Sequence, residues 1–519
     1  MSRRQSGLEK RIDELLLRVE KLESDNTTLR AENARLTQEN AELRAENERI
    51  WKRLDRFERR QPKDDDSKPK DGAGGASPPP PDGEQGNAAA PPRGAGAAKR
   101  KPGGQPGHKP HARALLPLDQ VDEVLHHKPS NCRGCGRRLK GEDPEPRRHQ
   151  VAELAEKLAT VTEHRLHDLE CPCGERTCAE LPAGVPEGVF GLRLVALVGL
   201  LSGVYRLSKR KAQEFVADVV GVDMSLGSVI AVERIVSEAL AAPVEEAKDF
   251  ARKQDVANVD DTSWPERNKK AFLWGFVTQF VTFFMIHARR TTEAAQEVLG
   301  DFAGILGSDR LGSFDFWVKD RRQSCWAHLE RKFEEWLEHD RPEVQQLGRS
   351  LLVEVDFLFE WWHRLKDGAK SRDGPLTRTK FKKLMEPLRR RVLARLEQGA
   401  SYEIDKVSGT CRHLLEREES LWTFVHFEGV EPTNNSAERV LRHGVLLRNC
   451  SFGTQSLAGS RFVERVLTTE ATLRQQGRSV VEFVVDAVRA RLLGGAPPSL
   501  LPSPELLAAG SLVAYKATG

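Results

Sequence analysis

Between residues 8 and 57 an apolar residue returns at every seventh position: Leu8, Leu15, Leu22, Leu29, Leu36, Leu43, Ile50 and Phe57. A helix turns once every 3.6 residues, so a stripe repeating every seven stays buried only against a second helix wound around it. With these residues as d, the a positions are Ile12, Val19, Asn26, Asn33, Asn40, Asn47 and Leu54. Leu at d with Asn at a predicts a parallel two-stranded coil, because each buried amide pairs with its copy across the dimer. The g-to-e pairs Arg18–Glu23, Asp25–Arg30 and Glu39–Arg44 have opposite charges. Residues 8–57 are thus expected to make a homodimer, and they carry no chemistry of their own.

Residues 58–107 read as a disordered linker, with ten Pro and ten Gly between 61 and 107. Its end turns basic, and Lys99, Arg100 and Lys101 are candidate DNA contacts. The net charge of +4 does not by itself mark a nucleic-acid binder. No apolar run is long enough to span a membrane, and the polar first ten residues lack a signal core. The expected place is therefore the cytoplasm, at the nucleoid. There eight cysteines mean reduced thiols or metal ligands rather than disulfides.

Five of those cysteines lie between 132 and 178, within a segment 108–183 read as zinc-binding. Cys132-x2-Cys135-Gly136 has the form of a metal knuckle, in which turn N–H groups stabilise thiolates. Cys171-x-Cys173-Gly174 is a tighter version. Cys132, Cys135, Cys171 and Cys173 are the chosen ligands of one structural Zn²⁺, with Cys178 or His149 as substitutes.

Residues 184–250 read as helices: Leu192 to Tyr205, Lys209 to Val220, then a turn at Gly221 and a helix from Leu226 capped by Ser225. Helix, glycine turn, helix is the outline of a DNA-reading helix-turn-helix and equally of a small bundle. Lys209, Arg210 and Lys211 are its candidate DNA contacts.

From residue 251 to 490 the pattern is mixed. Strands are expected at Val256 to Val259, Ala271 to Thr278 and Val281 to Ala288, then a helix from Thr292 to Phe302. Short strands follow at Gly304 to Ser308 and Gln323 to Trp326, the latter passing into a helix at His328. Three strands, a helix and a strand are the order of a ribonuclease-H-like core. Residues 330–428 look helical and are read as an insertion, and 491–519 as a tail. Asp260-Asp261 and Asp309 stand at strand ends. Metal-assisted phosphodiester chemistry needs a few carboxylates around two hard cations. A third acid, Glu438, lies in a helix opened by Asn434, Asn435 or Ser436, with Arg442 one turn on as a phosphate-binding cation.

These motifs together resemble insertion-sequence-66 transposases over nearly the whole chain. The carriers are the coil, Gly103-Gly104-Gln105-Pro106-Gly107-His108, the cysteine knuckles and Tyr205-Arg206-Leu207-Ser208-Lys209. To these are added Val259-Asp260-Asp261-Thr262, Ser308-Asp309-Arg310, Cys325-Trp326-Ala327-His328-Leu329 and Asn434-Asn435-x-Ala437-Glu438-Arg439. The resemblance implies a DDE transposase that binds the inverted repeats ending its own element and cuts and joins DNA. It implies a catalytic triad of Asp260, Asp309 and Glu438 holding two Mg²⁺ (or Mn²⁺), zinc on Cys132, Cys135, Cys171 and Cys173, and small accessory proteins as further partners. Arg310 and Arg439 join the candidate DNA contacts. Asp261 stands where Glu is frequent and is read as a neighbour of the metal site pointing the other way. Phe314 replaces a common Tyr, and Arg310 a common Gly. The competing reading is a non-enzymatic, dimeric DNA-binding regulator derived from a transposase.

Overall fold

A computed structural model describes residues 115–309, 312–367 and 374–509, with a few helical positions between 21 and 37. Most of the heptad segment, the linker with Lys99, Arg100 and Lys101, and Arg310 lie outside the described residues. The chain divides into two compact units, Lys63–Leu158 and the remainder. In the first, the knuckle is a tight loop: the Cys132 N–H donates to the Arg137 carbonyl and Gly136 N–H to that of Cys132. Gly136 takes φ 73°, which its missing Cβ permits.

The second unit is mixed α+β and rich in helix. Near residue 170 it carries a small hairpin, β1 (Asp168–Glu170) with β2 (Arg176–Cys178). Then come α1 (Leu192–Gly203), α2 (Lys209–Phe215), α3 (Leu226–Ala239) and α4 (Ala241–Arg252). Ser208 and Ser225 cap α2 and α3 by accepting the N–H of Lys211 and Ser228. The strands are β3 (Val256–Glu266), β4 (Lys269–Val277), β5 (Thr282–His287), β6 (Ile305–Ser308) and β7 (Arg322–Ser324), with α5 (Thr292–Leu299) between β5 and β6.

They form one sheet in the order β5-β4-β3-β6-β7. β3, β4 and β5 are an antiparallel meander, and β6 and β7 run parallel to β3. The β3–β4 turn is Arg267-Asn268, both at positive φ (50° and 59°), the backbone of a two-residue hairpin loop. β3 thus runs on past its acids to Glu266, further than its apolar start suggests.

After β7 follow α6 (Trp326–Leu337), α7 (Pro342–Asp367), α8 (Arg378–Ala400), α9 (Asp405–Glu416) and α10 (Glu419–His426). These build a second apolar cluster around Trp336, Leu351, Phe381 and Leu414. Of the closing helices α11 (Asn435–Ser451), α12 (Leu457–Gln475) and α13 (Val480–Leu493), the first two return to the sheet and α13 packs against α1 and α3. Residues of α1, α3, α12 and α13 share one buried cluster with β3, β4 and β5, so the 192–252 helices are cored together with the sheet.

Both sheet edges are closed by side chains. Along β5, the N–H groups of Thr282, Phe284 and Ile286 donate to Thr472 Oγ1, Thr468 Oγ1 and Glu464 Oε1. Those acceptors repeat every fourth residue on α12, one face of a helix laid beside a strand. Along β7, Thr423 Oγ1 donates to the Arg322 carbonyl and Phe424 N–H to Gln323 Oε1. Three N–H groups of β5 and the Arg322 carbonyl of β7, which would template another strand, are thereby satisfied. No helix among the described residues is long and apolar enough to cross a membrane.

Candidate active site

Asp260 sits mid-sheet on β3. In the parallel pairing of β3 with β6, Asn258 stands beside Gly307. Two residues further along each chain come Asp260 and Asp309, so the register carries both acids to the same side of the same strand pair. Gly307 leaves room for the neighbouring amide: a Cβ there would lie 2.1 Å from Asn258 Oδ1.

The backbone at Asp309 is pinned from β7. The buried Arg322 guanidinium donates to the Asp309 carbonyl (2.9 Å), Ser308 Oγ (3.2 Å) and the Phe314 carbonyl (3.1 Å), and pairs with Asp315. Such a guanidinium is held in place by its bonds, since burying it unpaired would cost several kcal/mol.

The third acid arrives with α11. Asn434, fully buried, precedes that helix; its Nδ2 donates to the Val259 carbonyl (2.9 Å) and its N–H to Cys325 Sγ (3.1 Å). The helix start is thereby bonded to the strand residue before Asp260. The expected side-chain cap is absent: the Asn434 side chain is spent on β3, and its carbonyl accepts Ala437 N–H and Glu438 N–H.

Electrostatics joins the three acids. Burial, then the charge of Asp309, pushes the Asp260 carboxyl up to about 7; the Asp261 N–H works against this, while Asp261 and Glu438 add to it. An Asp whose carboxyl is raised in the fold binds protons more readily folded than unfolded. Stability is then fullest below the ordinary carboxylate range and falls as pH rises through 7. Asp260→Asn, which mimics the protonated form, is expected to stabilise the chelator-treated protein at pH 8 by about 1–3 kcal/mol. The gain should shrink steadily toward pH 4. Melting curves with EDTA across that range would show it, and equal melting at pH 8 would contradict the crowding.

Asp261 has a separate environment. Its side chain is 2% exposed and accepts from Arg290 Nε at 2.9 Å. Burial still leaves its carboxyl above the usual range, with Arg290 opposing. Arg290 was not a candidate from sequence. Glu438 is paired not with Arg442 but across to α6: its Oε1 lies 3.1 Å from Arg331 Nη2 and 3.4 Å from His328 Nδ1. Cys325, His328 and Glu438 bring ligand atoms within 4.8 Å of one another, a spacing that suits a metal ion. His328 lies in a motif visible in the sequence, but neither its pairing with Glu438 nor that of Arg331 was legible there.

The candidate DNA contacts differ among themselves. Lys209 is paired with Glu233 and Lys211 with Glu214, while Arg210, Arg439 and Arg442 are exposed. In the cysteine motifs, N–H groups of Cys135 and Gly134, then the Cys135 thiol, hold the Cys132 thiol below its ordinary range. The Glu175 N–H and the Cys171 thiol do the same for Cys173.

Residues 187–461, more than half of the chain, match the transposase IS66 family. A further similarity is to the uncharacterized protein y4qI of Sinorhizobium fredii (strain NBRC 101917 / NGR234). It is 23% identical over 271 residues, covering 46% of this chain and 48% of that protein. The chain thus spans about half the length of this relative. The family match contains Asp260, Asp309 and Glu438, and both helices that hold the third acid.

Proposed function

Because this chain belongs to the IS66 family of transposases, we propose that it binds the terminal inverted repeats of its own insertion sequence and catalyses DNA strand cleavage and strand transfer. The observation that carries this is the placing of acids from separate elements: the β3–β6 register puts Asp260 and Asp309 on one side of the strand pair, Asn434 ties the start of the Glu438 helix to Val259, and the charges of Asp309 and Glu438 both act on the Asp260 carboxyl. The strand order 5-4-3-6-7, with the first acid on the central strand, supports a ribonuclease-H-like reading of the core.

The donor set fits divalent cations. Crowded, partly buried carboxylates carry negative charge that hard, oxygen-preferring ions such as Mg²⁺ or Mn²⁺ would neutralise. Asp260 and Asp309 would hold two of them, with Glu438 completing one site. When bound, such ions activate the attacking oxygen and stabilise the leaving one. The chain's own residues do the rest. Arg322 fixes the Asp309 backbone, Asn434 ties the start of α11 to β3, and the exposed Arg439 and Arg442 offer phosphate contacts beside Glu438.

Structural Zn²⁺ is proposed on the cysteine motifs Cys132/Cys135 and Cys171/Cys173; the lowered thiols of Cys132 and Cys173 suit thiolate ligation. Elemental analysis should find one zinc per chain, and a folded preparation with none would refute it. The heptads support a homodimer, double-stranded DNA is the substrate, and accessory proteins of the element are further partners.

The test of function uses the full chain, Mg²⁺ and duplexes carrying the inverted repeats that flank its gene. Cuts placed at the repeat ends are expected. Tight binding without cutting would favour the regulator, and cutting without end preference a plain nuclease.

A further inference from the structure

Glu438 stands between two kinds of charge. On one side are the acids, close enough for its charge to raise the Asp260 carboxyl. On the other is α6, which presents His328 and Arg331 on one face, three residues apart. Arg331 Nη2 and His328 Nδ1 both approach the same oxygen, Glu438 Oε1, at 3.1 and 3.4 Å. Arg331 Nε is anchored to its own helix through the Ala327 carbonyl (3.3 Å). The guanidinium is half exposed and the carboxylate one-third exposed, so the pair lies at the surface, where DNA would lie.

A carboxylate oxygen held by a guanidinium is a weaker metal ligand, since the pair must part or share the oxygen and the guanidinium repels the dication. A guanidinium binds phosphate with the same two-pronged geometry as carboxylate. We propose that Arg331 is a positioning residue that restrains Glu438 in the free protein and releases it when a DNA phosphate takes the guanidinium. This rests on the reading of Asp260, Asp309 and Glu438 as metal ligands. It makes metal loading and DNA binding mutually reinforcing, because whatever DNA does for the metal the metal does for DNA. Cutting would then be armed only on bound DNA.

The test is Mn²⁺ binding to the full-length protein, followed by electron paramagnetic resonance of the free ion, with and without a non-cleavable duplex. Without DNA, Arg331→Gln should bind Mn²⁺ about fivefold more tightly than wild type, the scale of a half-exposed ion pair. Arg331→Lys, which keeps the charge, should stay near wild type. DNA should tighten Mn²⁺ binding less in Arg331→Gln than in wild type. In a Glu438→Gln background the Arg331→Gln gain should vanish. Unchanged or weaker Mn²⁺ binding by Arg331→Gln, with Asp260→Asn still abolishing it, overturns the restraint alone. Full Mn²⁺ binding by Asp260→Asn overturns the metal-site reading and the restraint with it.

Discussion

Strand cleavage and joining are expected to fall by about a thousandfold or more in each of Asp260→Asn, Asp309→Asn and Glu438→Gln, the scale seen when one member of a charge-stabilising site is lost. The three changes are near-isosteric, so each removes charge and ligand oxygen and leaves shape intact. Asp260 is the most sensitive of them. It stands mid-sheet, registered against the β4 residue Gly275, and the other carboxylate on its face of β3, Glu266, lies six residues further along the strand. Asp261 cannot replace it, because that side chain is buried against Arg290. Binding of the terminal repeats, measured without divalent metal, should survive all three changes, since each leaves the cationic side chains that would meet phosphate in place. A gel-shift assay beside a Mg²⁺-dependent cleavage assay separates the two effects. Cleavage retained by all three variants would remove these acids from the mechanism. Loss of end binding together with cleavage would mean that the changes had disturbed the fold.

The strands around the acids were legible because their apolar, β-branched runs are short and separated by turns. The helix of Glu438 was legible through its Asn pair and apolar spacing. The length of β3 was not: it ends in Arg267-Asn268, a turn at positive φ without the glycine that usually announces one. The cap of α11 was misassigned for a related reason. Asn434 is a good local capping residue, yet its amide reaches Val259, 175 positions away in sequence. The same applies to Arg331, 107 positions from Glu438, and to Arg322, whose partners lie on β6 and the following loop. Local pattern ranks such residues as ordinary surface charges, and only the packing of α6, α11 and β7 around one strand pair gives them a role. A buried arginine in a short strand, and a His and Arg on one turn after Cys325, were the available signals. Most of the heptads, the linker and Arg310 lie outside the described residues.

Gly444→Val should lower stability by about 1–3 kcal/mol and cleavage by about a hundredfold, because a misplacement near 1 Å can cost that much. The reasoning starts from how close α11 comes to the sheet. At Gly444 an added Cβ would lie 2.3 Å from Leu273 Cδ2, and at Gly275 it would lie 3.3 Å from Leu441 Cδ2. Gly275 is the β4 residue registered against Asp260. Two glycines, one on each partner, thus let the helix settle over the strand pair that carries the first acid. A mid-helix glycine costs about 1 kcal/mol against alanine, and here close packing offsets it. A valine at 444 sets its branched side chain against Leu273, which is fully buried and enclosed by its neighbours, so the helix is pushed away from the sheet. The displaced helix carries Glu438, less than two turns away, off its place beside Asp260. Gly409 in α9 supplies the control, because a Cβ there meets nothing within 4 Å. Gly409→Val should melt at or slightly above the wild-type temperature with cleavage unchanged. Gly444→Ala should fall between the two. If Gly444→Val loses stability but cuts at the wild-type rate, the seating of α11 does not set the position of the third acid.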